Sequence, residues 1–186
     1  MLETERLLLR GWREADLAPF AELNGDARVM QYLPRLLTRR ESDQLATRLE
    51  EQLVARGFSF WAVEIKRTHR FAGFVGLSAV SFAAHFTPCV EIGWRLSYEH
   101  WGHGYATEAA RAALALGFDR LQLPEIVAFS VPANLRSRRV MERLGMTRLA
   151  ADDFEHPRLP AGDPLRAHVL YRAGPSSQRG NAYATT

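Results

Sequence analysis

Apolar and polar positions change their spacing along the chain, and these changes divide it into helical and extended segments. The apolar run at 7–9 lies between charged residues and predicts a first strand. Apolar residues three to four positions apart then predict a helix that Asp16 caps and that ends at 25–26. A second helix is predicted over 41–56, with Gly57 as its terminator.

An alternating pattern replaces the helical one after Gly57. Two segments, 58–65 and 71–82, alternate as strands do, and the polar turn between them predicts a hairpin. Gly73 or Gly76 is expected to bend the second strand, because glycine inside a strand often marks a bulge.

The rest of the chain alternates between strands and helices. The predicted elements are a strand over 90–96, a helix over 105–121, a strand over 126–131, a helix from the cap Asn134 to the terminator Gly145, a loop over 152–165 and a strand over 168–172. This order predicts one α/β domain over 1–172, with a mixed sheet and flanking helices. Residues 173–186 are expected to form a flexible tail.

Composition restricts the class of protein. Hydrophobic residues make up 47% of the chain and charged residues 24%, as in ordinary globular domains. No apolar run approaches the ~20 residues that span a bilayer, and no signal peptide is evident. The single cysteine, Cys89, excludes an internal disulfide and fits a reducing compartment. We therefore expect a cytoplasmic monomer or homodimer without a membrane partner.

The charge balance favours an anionic ligand only mildly. The net charge is +3, from 24 basic and 21 acidic residues. A nucleic-acid-binding protein would cluster its basic residues on one face, and the isoelectric point near 9.4 is the sole support for that class. We expect no nucleic-acid partner.

The chemically most informative segment is 101–107. Gly102 and Gly104 directly precede an alanine-rich helix, and a helix N-terminus offers unpaired N–H groups and a partial positive charge. Glycines there let the backbone approach an anion closely. A pyrophosphate would accept hydrogen bonds from the amides of 102–107, and from the Thr107 hydroxyl.

Other glycine-rich motifs fit this segment less well. A dinucleotide-binding fingerprint needs a third glycine where Thr107 stands, and too little chain follows for a doubly wound sheet. A P-loop needs Gly-Lys-Ser/Thr, which is absent. Two glycines alone also fit a purely structural turn.

The run 101–109 resembles the acetyl-CoA signature of the GNAT N-acetyltransferases. Trp101 stands where the general signature has Arg or Gln, which is typical of the RimJ/RimL-like branch of ribosomal-protein-alanine and -serine N-acetyltransferases. Segments 4–10 and 90–94, and the pair 134–137 with 144–146, resemble the same branch and occur in the same order. The resemblance spans roughly residues 2–172.

This resemblance implies a GNAT-like α/β fold whose mostly antiparallel sheet is splayed in the middle. It also implies acetyl-CoA as co-substrate, no metal, pantetheine pairing along the strand at 90–96, and Asn134 on the other side of the splay. The implied cofactor-binding residues are Trp94, Leu96, Trp101, Gly102, His103, Gly104, Tyr105, Ala106, Thr107, Asn134 and Arg139. Arg139 belongs to an arginine-rich helix; one or two of these arginines would meet the 3′-phosphate, although a solvated basic face accounts for the set.

The acceptor amine must be neutral to attack the thioester. At pH 7 this costs roughly 1 kcal/mol for an α-amine of pKa ~8 and roughly 4–5 kcal/mol for a lysine of pKa ~10.4, so a modest base or a water relay suffices for an α-amine. Glu91 is the first candidate base and Ser137 the candidate acid on the thiol side. The alternative for Glu91 is an exposed strand carboxylate or a salt-bridge partner, and the alternative for Ser137 is a hydroxyl of the helix-capping region. Weaker candidate bases are His85, Glu64 and His156.

Other reactive side chains fit less well. Cys89 has no evident His–Asn partners, and the family transfers acetyl directly, so Cys89 is interpreted as a strand residue. His100 and His103 lack a third ligand at regular spacing, so no metal is expected. The predicted function is acetyl transfer to a primary amine, of a protein N-terminus or a small molecule. The alternative is an acyl-CoA sensor with a degenerate catalytic centre.

Overall fold

The computed structural model describes residues 1–175, which form two compact units. Unit 1 comprises Met1–Ser78 and Gly93–Ala113, and unit 2 comprises Ala79–Ile92 and the described chain from Leu114 onward. Within 1–175 no helix is long and apolar enough to cross a membrane. A flexible tail is predicted over 173–186. Its residues from 176 onward lie outside the described part of the chain.

Unit 1 is built on antiparallel strands. Its elements are β1 (Leu2–Glu3), β2 (Leu7–Arg10), α1 (Leu17–Gly25), α2 (Arg39–Arg56), β3 (Phe60–Ile65), β4 (Arg70–Ala79), the end of β5 (Val90–Leu96) and most of α3 (Tyr105–Ala115). The strands neighbour one another in chain order, and β3 and β4 form the predicted hairpin. Their register shifts between Val63 and Glu64, opposite Gly73, so the bend lies at one of the two predicted glycines.

Helices α1 and α2 of unit 1 pack on this sheet through aromatic side chains. The Phe20 side chain is fully buried, and its ring lies 4.6 Å from Trp12 and 5.9 Å from Phe74, between centroids. The buried cluster consists of Phe20, Leu23, Ala46, Ala62, Phe71 and Phe74. The cluster attaches α1 and α2 to the strands, because its members come from both helices and from β3 and β4.

Asp16 does not cap α1 with its side chain, so that prediction is wrong. A short 3₁₀ turn, Glu14–Asp16, precedes α1, and the chain therefore enters the helix already turning. The buried Asp16 carboxylate instead accepts hydrogen bonds from Arg10, at 2.7 and 2.9 Å, and from the Arg13 backbone amide. The Asp16 side chain therefore neutralises the buried Arg10 guanidinium instead of capping α1.

The second helix begins two residues earlier than predicted because Thr38 and Glu41 form a capping box. The Thr38 hydroxyl accepts from the Glu41 amide, and the Glu41 carboxylate accepts from the Thr38 amide at 2.9 Å. We expect Thr38→Ala to lower the free energy of unfolding by about 1 kcal/mol. Denaturant titration measures this, with the exposed mid-helix Thr47→Ala as the matched control. Equal unfolding free energies for the two variants would contradict the capping role.

Unit 2 is built around its last strand. Its elements are the beginning of β5, β6 (Ile126–Ser130), α4 (Leu135–Arg143), β7 (Thr147–Arg148), β8 (Phe154–Glu155) and β9 (Ala167–Ala173). Strand β9 pairs antiparallel with β6, β7 and β8. Strand β5 pairs in parallel with β6 over Val90 and Glu91 only, at the start of β5.

Two predicted elements of the second half of the chain need correction. The helix predicted over 105–121 ends as α-helix at Ala115, and a π-helical turn follows over Leu116–Arg120. The segment 152–165 is not all loop, because a 3₁₀ turn, Ala150–Asp152, and strand β8 occupy its beginning. The Phe154 ring explains the strand, since it packs 4.8 Å from Phe86 in the core of this unit.

The predicted fold class is confirmed. The strands of residues 1–175 make a mixed, mostly antiparallel sheet, and four α-helices flank it. The interpretation of 1–172 as a single domain remains a prediction.

Candidate functional site

The loop before α3 has the backbone geometry of an anion cradle. Gly102 and Gly104 have φ values of +80° and +81°, which L-residues with a side chain rarely adopt. The Glu108 amide makes the first bond of the helix, to the Gly104 carbonyl at 3.0 Å. The amides of Tyr105, Ala106 and Thr107 precede that bond and are the donors that a helix N-terminus offers to an anion.

Aromatic side chains fix the position of this cradle in unit 1. The Trp101 indole donates to the Leu96 carbonyl at 2.9 Å, so the cradle is tied to the end of β5. The exposed His103 ring stacks on Tyr105, with centroids 5.5 Å apart. Trp94 is half-buried on β5, and Thr107 is buried in the first helical turn.

The start of the chain is bound to the same helix turn. The Thr4 hydroxyl donates to Glu108 at 2.6 Å, and the Arg6 amide donates to the same oxygen at 2.9 Å. The Arg6 guanidinium pairs with Glu108 at 2.6 Å and lies 4.8 Å from the Tyr105 ring centroid. Burial alone would raise the pKa of Glu108. The hydrogen bonds from Thr4 and Arg6 outweigh this effect, so the pKa of Glu108 lies below its ordinary value. The predicted segments 4–10 and 101–109 therefore form one local structure.

Glu91 lies on β5 in unit 2 and is half-buried. Burial raises the pKa of Glu91 to about 7, although the positive charge of Arg158 opposes the shift. A carboxylate with such a pKa is partly ionised at neutral pH and suits a general base. Cys89, two residues earlier, has its thiol pKa raised to about 11 by burial, which makes it a poor nucleophile.

Asn134 and Ser137 come together at the start of α4. The Asn134 carbonyl oxygen accepts from the Ser137 amide at 3.2 Å, which confirms the predicted cap, and the Asn134 amide donates to Ser130 at 3.0 Å. Gly145, with φ +73°, follows the helix as its predicted terminator. Arg139 is exposed on α4.

The weaker candidate bases have other contacts. Glu64 is buried in an ion pair with Arg10 at 2.7 Å, and hydrogen bonding from Arg10 lowers the Glu64 pKa. His85 is exposed, 3.7 Å from Asp152. Burial lowers the pKa of His156. Among residues 1–175 no group of three His, Cys, Asp or Glu side chains is placed to hold a metal ion.

The sequence analysis missed a buried charge cluster in unit 1. Arg10 donates to both Asp16 and Glu64, and the exposed Arg13 reaches Glu64 at 3.2 Å. The signal was present, because Arg10 and Glu64 interrupt otherwise apolar strand segments. The cluster lines an open groove of about 710 Å³, whose lining includes none of the predicted cofactor-binding residues.

Comparisons with known proteins identify a matching family and similar chains. Residues 6–147 match the acetyltransferase (GNAT) domain family. YkkB, an uncharacterised protein of Bacillus subtilis, is 36% identical over 146 residues, which cover 78% of this chain and 84% of YkkB. YnaD, an uncharacterised N-acetyltransferase of the same organism, is 31% identical, covering 79% of this chain and 82% of YnaD. A GNAT-family acetyltransferase from Bacillus anthracis superposes with a TM-score of 0.77 at 28% identity, covering 93% of this chain and 97% of that structure.

Proposed function

Because this chain belongs to the GNAT acetyltransferase family and is an acetyl-CoA-dependent N-acetyltransferase, we propose that it transfers acetyl directly to a primary amine in a ternary complex. The acceptor is a protein N-terminal α-amine or a small-molecule amine. The run 101–109 and the segment 4–10 support a place in the RimJ/RimL-like branch. The single cysteine supports a cytoplasmic enzyme.

The glycine cradle is the observation that carries this proposal. We assign the pyrophosphate of acetyl-CoA to the amides of 102–107, where two residues with positive φ precede the free N–H groups of α3. We assign the pairing with pantetheine to the main chain near Trp94 and Leu96, where the Trp101 indole donates to the Leu96 carbonyl. Asn134 and Arg139 complete the proposed binding set, and Asn134 keeps its capping bond to Ser137.

The reaction needs one base and one acid. Acetyl-CoA supplies an activated acyl group whose C–S bond breaks as the amine nitrogen forms the new C–N bond. Glu91 accepts the proton that the attacking amine loses, and its pKa near 7, raised by burial, keeps part of it ionised at neutral pH. Ser137 donates a proton to the departing thiolate and regains one from solvent, and Glu91 releases its proton to solvent.

Ser137→Ala is expected to lower kcat about tenfold and to leave the KM for acetyl-CoA within about twofold, because the hydroxyl acts on the leaving group rather than in binding. Steady-state thiol release at saturating amine measures both constants. Thr147→Ala, which removes an exposed hydroxyl of the same unit, is the control. An unchanged kcat would remove Ser137 from the mechanism and leave its hydroxyl in the capping region.

Thiol release from acetyl-CoA with a panel of amines and N-terminal peptides tests the proposed function. We expect release only when an acceptor is present, together with an equal amount of acetylated amine detected by mass spectrometry. Acetyl-CoA binding without transfer to any acceptor would contradict the proposal and identify the chain as an acyl-CoA sensor.

A further inference from the structure

Arg95 is a half-buried guanidinium in unit 1 that has no carboxylate partner among residues 1–175. It lies on β5 between Trp94 and Leu96, the segment proposed to run beside pantetheine. Its Nη1 donates to the Asn24 side-chain oxygen at 2.6 Å, and the guanidinium lies 5.2 Å from the centroid of the Phe74 ring. An arginine has five N–H donors, so most of its hydrogen-bonding capacity remains for a ligand.

The surroundings hold this guanidinium in one place. Asn24 is fully buried and donates to the buried Ser42 hydroxyl at 2.9 Å, which orients the oxygen that Arg95 uses. The Arg95 backbone is also fixed, because it approaches β4 so closely that a Cβ on Gly73 would lie 2.2 Å from the Arg95 carbonyl oxygen. A guanidinium held in one orientation can bind a carboxylate selectively, because its planar pair of N–H donors matches the two carboxylate oxygens.

Arg10, in the same unit, shows how this protein neutralises a buried arginine. Its guanidinium is paired with Asp16 and with Glu64, each at 2.7 Å. Among residues 1–175, the Arg95 guanidinium contacts only the neutral Asn24 oxygen and an aromatic face, and burial lowers the pKa of Arg95 to about 10. Holding α1 to β5 needs only a neutral donor to Asn24, so the uncompensated charge requires a separate explanation.

From these contacts we infer that Arg95 binds a carboxylate of the acceptor, so that the substrate is a small primary amine that also bears a carboxylate. This inference rests on the proposed acetyl transfer and narrows its acceptor. The carboxylate supplies the counter-charge that Arg95 lacks, through a two-point hydrogen bond that a carboxamide of the same shape cannot replace. Peptides with a neutral residue behind the N-terminus are then poor acceptors.

Paired acceptors test this inference on the wild-type protein. Each pair is a primary amine with a carboxylate and the same amine as its carboxamide, and kcat/KM is expressed per neutral amine at saturating acetyl-CoA. We expect the carboxylate to be preferred by about 10- to 100-fold in the pairs that react, mainly through KM. Equal rates within every pair, or a preference for neutral N-terminal peptides, would overturn the inference while leaving the transferase activity established. No transfer to any amine would overturn the proposed function itself.

Variants of Arg95 assign the preference to this side chain. Arg95→Gln keeps a donor for Asn24 but removes the charge, and we expect the carboxylate-to-carboxamide ratio to fall to about one. Arg95→Lys keeps the positive charge but lacks the planar guanidinium, and this variant should retain part of the carboxylate-to-carboxamide ratio. Arg70→Gln removes an exposed charge paired with Glu99 and is the matched control. A ratio that survives Arg95→Gln, or a rise in the acetyl-CoA Kd as its main effect, would overturn the assignment. Circular dichroism verifies that each variant is folded.

Discussion

Replacing Glu91 with Gln is expected to lower kcat about 100- to 1,000-fold at saturating acetyl-CoA, the contribution typical of a positioned general base. The amide has nearly the shape of the carboxylate, so the KM for acetyl-CoA should change by less than about threefold. Steady-state thiol release measures both constants. Glu155→Gln, which neutralises an exposed carboxylate of the same unit paired with Arg166, is the matched control. A kcat within about threefold of wild type would assign proton removal to a water relay.

The pH dependence of this variant distinguishes a base from a structural carboxylate. In the wild type kcat should fall as the pH drops through about 7, because burial raises the Glu91 pKa to about 7 and protonation removes the base. The contribution of Glu91 to that limb should be absent from Glu91→Gln, in which only the ionisation of the acceptor amine remains.

The free energy of unfolding should change with pH in the direction opposite to kcat. The folded state raises the Glu91 pKa above its ordinary value of 4.5, so the folded protein loses stability as the pH rises from about 4.5 to about 7 and the unfolded chain ionises first. Gln has no such penalty, and Glu91→Gln should be more stable than wild type above pH 7. A catalytic group that costs stability is the expected signature of a functional site.

Replacing Gly102 with Val is expected to weaken acetyl-CoA binding at least about 100-fold, which corresponds to about 2.7 kcal/mol. The residue has φ +80°, and an added Cβ meets nothing within 4 Å, so the side chain would project into open space. A β-branched residue also resists this backbone conformation and would shift the amides that follow it. Isothermal titration of acetyl-CoA measures the loss.

Gly57 provides the control for backbone strain. It has φ +76°, and a Cβ there also meets nothing within 4 Å, but it lies at the end of α2, away from the cradle residues in sequence. Gly57→Val should destabilise the fold by about 1–2 kcal/mol, as Gly102→Val does, without changing the acetyl-CoA Kd. Equal losses of affinity in the two variants would attribute the Gly102 effect to general destabilisation.

Local patterns predicted most of the fold and the position of the cradle. The strand at Val90–Leu96 has the predicted bounds, and Asn134 caps its helix as expected, because both signals lie within a few neighbouring residues. The two-residue strands β1, β7 and β8 were missed, since two residues show no period.

Contacts between residues distant in sequence could not be predicted from local patterns. Segments 4–10 and 101–109 were recognised separately, but only the structure shows Thr4 and Arg6 bound to Glu108. The same limit applies to Arg95, whose importance depends on Asn24, 71 positions away, and on the absence of a carboxylate partner among residues 1–175. The pattern of apolar residues therefore predicts the elements of the fold better than it predicts the charged residues of the site.

The central claim is that the segment 101–107 binds the pyrophosphate of acetyl-CoA, and titration with two ligands tests it most directly. S-acetylpantetheine carries the same thioester without the pyrophosphate and the adenosine 3′-phosphate attached to it, and Gly102→Val isolates the share that the cradle contributes. We predict that the wild-type protein binds acetyl-CoA at least about 100-fold more tightly than S-acetylpantetheine, and that Gly102→Val removes most of this difference. Equal affinities of the wild-type protein for the two ligands, or a difference that Gly102→Val leaves intact, would contradict the assignment of the cradle.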